Sequence, residues 1–150
     1  MFDPTNYQLP NKNNVDWTMT KKNLSIFLSE YKNIREKLGL RATPQLKETY
    51  SLIHNHNENV LKEMCTDELY EEFVYLHKMF IHGYLSINHT FKTDITERKR
   101  KIFLLRFFYG LTILLVSERI HYQRNVIIDD SKLAIIQFTK AINLLVMKDR

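Results

Sequence analysis

Histidines, a cysteine and scattered carboxylates are the residue types in this 150-residue chain that could ligate a metal or move a proton. His54 and His56 flank one asparagine in the polar run HNHNEN. The pair invites a metal or HNH-nuclease reading, but that nuclease motif sets its histidines far apart on a ββα scaffold; two neighbours in a polar turn read as solvent-exposed bystanders. His77 and His82 are five residues apart, off the i, i+4 spacing that puts two ligands on one helix face, and read as boundary residues. Glu71 and Glu72 form a surface pair with no apolar surroundings to raise a carboxyl pKa for acid catalysis. Cys65, the one cysteine, reads as a buried structural thiol. A single thiol makes neither an intrachain disulfide nor a multi-thiolate zinc site, which favours a reducing cytoplasm. The chain also lacks a Gly-rich phosphate loop. The expectation is therefore no catalytic residue, no metal and no cofactor, which leaves the binding classes.

The cations carry the binding signal. Lys and Arg number 22 against 17 Asp and Glu, a formal net charge of +5. Residues 1–95 hold 11 cations and 12 anions, whereas residues 96–150 hold 11 and 5, so the excess lies wholly in the last third. Arg98, Lys99, Arg100 and Lys101 form a run suited to sequence-independent clamping of phosphates, and Arg119 joins them. The alternative for the run is a solvated helix start, although four cations near the positive end of a helix dipole carry a cost that an anionic partner would relieve. Arg124, Asn125, Ile128 and Lys132 are candidates for reading base edges: Arg pairs with guanine, Asn with adenine, and Ile touches a thymine methyl. For Arg124 and Lys132 a solvated helix face remains the equal alternative.

Helices must position these residues. Gly and Pro number only 3 each, too few for the turns of an all-β fold. Residues 1–16 read as a mobile arm with little order before Trp17. From Thr20, Leu24, Phe27, Leu28, Tyr31, Ile34 and Leu38 recur at i, i+3, i+4 spacing, with Gly39 placed to end a helix in a left-handed conformation. Thr43 and Pro44 open a second helix through Leu46, Tyr50 and Ile53. Thr66 starts a third, carrying Leu69, Phe73, Leu76 and Phe80, with Leu85 as a further candidate, and residues 93–96 read as a polar link. Three more helices follow: Glu97 to Tyr109, stopping at Gly110; Thr112, as N-cap, to His121, burying Leu115 or Val116 and Ile120; and a last one after the turn at residues 122–125.

Ile127, Ala134, Phe138, Ala141, Ile142 and Leu145 make the inner stripe of that last helix. A second stripe, Leu133, Ile136, Leu144 and Met147, calls for cover by the N-terminal lobe or by a second copy of the chain. The most apolar segment, Phe103 to Val116, contains Arg106 and Gly110 and is shorter than the ~20 residues of a membrane helix, so it reads as core. The N-terminus lacks the basic and apolar regions of a signal peptide.

Two helices joined by a three- or four-residue turn and braced by a third match a helix-turn-helix unit; a plain three-helix bundle has the same pattern. Residues 102–122 resemble the C-terminal region of sigma factors in their apolar helix, Gly-Leu-Thr turn and following helix, carried here by Leu105, Phe108, Gly110, Leu111, Thr112, Val116, Ser117 and Ile120. With Thr20, Asn23, Leu28 and Tyr31 added, the chain is similar to phage late-gene transcriptional regulators of the ArpU, RinA and Ltr type from Gram-positive hosts, most strongly over residues 96–145. The resemblance implies an all-α protein: a flexible arm (1–16), a helical dimerisation or interaction lobe (17–92) and a sigma-like helix-turn-helix region (93–150). It also implies a sequence-specific activator of late genes in the bacterial cytoplasm. Its partners would be double-stranded promoter DNA, a second copy of the chain, and host RNA polymerase or a phage- or satellite-encoded protein, with no membrane. A helical protein-interaction module that does not bind DNA is the alternative. The chain departs from the sigma pattern in two places. Gln123 stands where a capping Ser is usual, with Asn125 as substitute cap, and Asp129 and Asp130 must turn from the phosphates or pair with Arg124 or Lys132.

Overall fold

A computed structural model describes residues 1–4, 8–41, 44 and 67–149. Most of the helix expected from Thr43 to His54, together with His54, His56, Cys65 and Thr66, lies outside the described residues. Among the described residues the fold is all-helical: α1 (Trp17–Lys37), α2 (Asp67–Leu85), α3 (Thr93–Phe103), α4 (Ile113–Ile120) and α5 (Arg124–Ala141), with a 3-10 turn at Lys12–Asn14. Extended pairing there is limited to one antiparallel bridge, Val15 to Met147. No described helix is long and apolar enough to cross a membrane.

The chain forms two compact units, residues 26–82 and residues 1–25 with 83–150, and the division falls inside α1 and α2. The unit of residues 26–82 buries Phe27, Leu28, Tyr31 and Ile34 of α1, on the i, i+3, i+4 face read from the sequence, and Phe73 and Phe80 of α2; Tyr70 is buried there as well, while Leu69 and Leu76, expected on the α2 face, are half-buried and Leu85 is exposed. Tyr31 stacks on Phe80 with ring centroids 4.7 Å apart. Among the described residues this aromatic core also holds two basic side chains, Arg35 and His77. Arg35 Nη1 donates to the Tyr31 hydroxyl at 3.2 Å, and that hydroxyl lies 2.5 Å from His77 Nδ1. His77 Nε2 is buried without a hydrogen-bond partner among the described residues. Burial, aided by the Arg35 charge, pushes the imidazole pKa down from 6.5 to about 4, so His77 is neutral at physiological pH. His77 is thus a core residue and not the boundary residue expected.

α1 ends as Gly39 predicted. Its φ is 68°, Leu40 N–H reaches back to Arg35 O at 3.0 Å, and Gly39 N–H to Glu36 O at 3.0 Å, the paired bonds of a Schellman motif.

In the other unit the N-terminal segment is more ordered than its composition suggested. Val15 is fully buried, Asp16 N–H bonds Val146 O at 2.9 Å, and Lys148 N–H bonds Asn14 O at 2.7 Å. Asp16 also caps α1 by accepting from Met19 N–H at 3.0 Å, and the Thr20 hydroxyl accepts from Val146 N–H at 3.0 Å. The cap is local, but Val146 and Lys148 lie more than 120 residues from their partners, so local composition could not reveal them. The core of this unit gathers Ile87, Ile102, Phe103, Phe108, Val116, Ile127, Ala134 and Phe138. Gly83, at the end of α2 that belongs to this unit, sits where a Cβ would lie 2.7 Å from the Phe138 ring of α5, a close backbone approach.

Candidate nucleic-acid interface

α3 begins at Thr93, so residues 93–96 are its first turn and not a link. The Thr96 hydroxyl accepts from His89 N–H at 2.7 Å, which ties the preceding loop to that turn. α3 then runs into a π-helical turn, Leu104–Phe108. Tyr109 N–H bonds Leu104 O at 2.9 Å, and Leu111 N–H bonds Leu105 O at 2.9 Å across Gly110 at φ 75°. Only a residue free to adopt positive φ closes the helix this way without strain. Thr112 caps α4 as expected, its hydroxyl accepting from Leu115 N–H at 3.2 Å.

Val116 is the buried member of α4 and Leu115 is exposed. Val116, Ile102, Leu105 and Ile127 form one cluster, flanked by Leu111, Ile113 and Ile120, so α3, its π turn, α4 and α5 share a core. α4 closes at His121 in a left-handed conformation, φ 60°. The Ser117 hydroxyl donates to Tyr122 O at 2.5 Å, fixing the turn. Gln123 occupies the N-cap of α5 without a side-chain bond, and Asn125 lies inside the helix, so Asn125 is not the substitute cap.

The start of α5 presents Arg124, Asn125 and Lys132 to solvent, with Ile128 half-buried, while Ile127, Ala134 and Phe138 point inward. The two acids of this segment part company. Asp129 is exposed, whereas Asp130 is buried and takes Arg98 Nε at 2.6 Å and Nη2 at 3.4 Å. Arg98 also lies over the Tyr122 ring, 4.9 Å from its centroid. The Asp130 hydrogen bond raises the Arg98 pKa above its ordinary value, so the guanidinium stays charged and binds α3, the α4–α5 turn and α5 together. Asp130 therefore pairs with Arg98, not with Arg124 or Lys132. No local spacing could have shown this, because the partners are 32 residues apart.

The cationic run of α3 is not the open clamp the sequence suggested. Arg98 is engaged as described. Lys99 is buried with Thr96, Ile102 and Phe103, and desolvation lowers its pKa. Arg100 donates from Nε to Ile87 O at 2.8 Å and from Nη2 to Leu85 O at 3.1 Å, binding carbonyls at the end of α2. The reason is helical geometry: consecutive residues point about 100° apart, so four cations in a row cannot share one face. Lys101 remains exposed, as does Arg119 on α4.

The second apolar stripe also dissolves. α5 stops at Ala141, and Asn143 at φ 62° with Leu144 N–H on Thr139 O at 2.8 Å makes a second Schellman ending. Leu144 and Met147 thus lie beyond the helix, and Ile136 is internal core. Leu133 is half-buried and Met147 exposed. Among the described residues no group of three or more His, Cys, Asp or Glu could hold a metal ion. Comparison with protein-family models, with curated proteins and with solved structures finds no match to this chain.

Proposed function

We propose that the chain is a sequence-specific DNA-binding transcriptional regulator, with α4, the turn at residues 121–123 and α5 acting as a helix-turn-helix whose α5 enters the major groove. The observation that carries this reading is the pairing at one end of α5: exposed Arg124, Asn125 and Lys132 on one side of the first turns, and buried Ile127 on the other. Arg124, Asn125, Ile128 and Lys132 would meet base edges, while Lys101 and Arg119 would meet phosphates. A two-fold dimer on two half-sites suits this geometry. Activation of phage late genes, and contact with RNA polymerase or a phage- or satellite-encoded protein, rest on the resemblance noted above.

Fluorescence anisotropy with labelled duplexes across a salt series tests the reading. A steep salt dependence together with preference for a selected site supports it. Absence of binding to any duplex at low salt would overturn it. Exposed Leu114 and Leu115 on α4 favour the second reading, a protein-interaction module without DNA binding.

A further inference from the structure

We propose that Asp129 is a specificity-determining residue of the α5 face and that the preferred duplex carries a cytosine in the major groove opposite it; the proposal rests on the DNA-binding reading above. α5 contains two carboxylates. Asp130 is buried and paired with Arg98. Asp129 is exposed, and no ion pair engages it among the described residues. It is four residues after Asn125 and three before Lys132, so the three share one helix face. At 1.5 Å rise per residue Asp129 lies about 6 Å along the axis from Asn125, roughly two base steps.

An unpaired carboxylate on a surface that meets DNA is repelled by phosphates and by every acceptor on the base edges. In the major groove guanine shows O6 and N7, and thymine shows O4, all acceptors. Adenine offers an amino group beside the N7 acceptor, which opposes a second carboxylate oxygen. Cytosine offers its N4 amino group with its own C5–H on one side and only the paired guanine O6 on the other, whereas the adenine amino group is flanked by acceptors on both sides, N7 and the thymine O4; cytosine is thus the base a carboxylate accepts from most favourably. Asp129 thus weakens binding to all duplexes except those that place cytosine opposite it, which widens the ratio of specific to non-specific affinity.

Selection from randomised duplexes with the wild-type chain, Asp129→Asn and Asp129→Ala, followed by titration of single-base variants, tests this. The wild type should enrich one position as cytosine, and replacing that base should weaken binding by about 10-fold or more. Asp129→Asn should move the preference at that position to adenine, because the amide donates to N7 and accepts from N6. Asp129→Ala should erase it and raise affinity for unrelated duplexes, the other positions holding. Far-ultraviolet circular dichroism should match the wild type throughout, since the side chain is exposed. If all three proteins enrich the same site and the variants bind every duplex more tightly by one common factor, Asp129 only repels phosphate and the proposal fails while DNA binding stands. If the folded wild type enriches no duplex, the DNA-binding reading fails and takes the proposal with it.

Discussion

Arg124 tests base readout at the scale of one residue. Its side chain is exposed at the start of α5 and contributes little packing. Arg124→Ala should cost about 1–3 kcal/mol against the preferred duplex, with non-specific binding changed much less and the melting temperature unmoved. Equal losses on specific and random duplexes would make Arg124 a phosphate contact instead. His77 gives a residue-scale prediction about stability. Its pKa is lowered in the fold from 6.5 to about 4, so the unfolded chain binds the proton more tightly. Stability is then full above about pH 6.5 and falls as the pH drops towards 4, by about 3 kcal/mol in all. Urea unfolding at pH 7 and pH 4.5 should show the loss, and His77→Gln should lessen it; an unchanged slope in that variant would assign the loss to other groups.

At the scale of elements, the Arg98–Asp130 pair joins α3 to α5 near the turn. Asp130→Ala removes the acceptor and leaves a largely covered guanidinium over Tyr122, so it should destabilise the fold by about 1–3 kcal/mol. Arg98→Met in the same background should recover part of that loss, because the stranded charge is removed. The close approach of Gly83 to Phe138 gives an independent check. Gly83→Ala places a Cβ 2.7 Å from the Phe138 ring, and overpacking of this kind should cost about 1–3 kcal/mol in urea unfolding. Phe138→Leu combined with Gly83→Ala should fall short of the sum of the single losses, since the smaller side chain yields room.

For the whole molecule, the decisive property is which of the C-terminal cations reach solvent. Lys101 and Arg119 are exposed, whereas Lys99 is buried. Replacing Lys101 and Arg119 together by Gln should reduce the slope of log affinity against log salt by about two, uniformly across duplex sequences. Lys99→Gln should leave the slope as it is and change stability instead. A slope that responds to Lys99 and not to the other two would place the DNA on a different surface.

Helix positions and several of their ends were legible in the sequence because they depend on near neighbours. The apolar spacing from Leu24 to Ile34, the stop at Gly39, the cap at Thr112 and the inward line of Ile127, Ala134 and Phe138 are settled within a few residues of chain. The all-helical class follows from the same local terms. Tertiary structure decided what depends on residues distant in sequence. Asp130 found Arg98 across 32 residues, and Arg100 found the carbonyls of Leu85 and Ile87. Val15 was buried, bridged to Met147 near the other end of the sequence. A charge written in the sequence is only a capacity to bind. Whether it meets a partner inside the fold or remains for a ligand outside is set by which side chains three-dimensional packing brings within hydrogen-bond reach, and by the cost of burying an ion that lacks one.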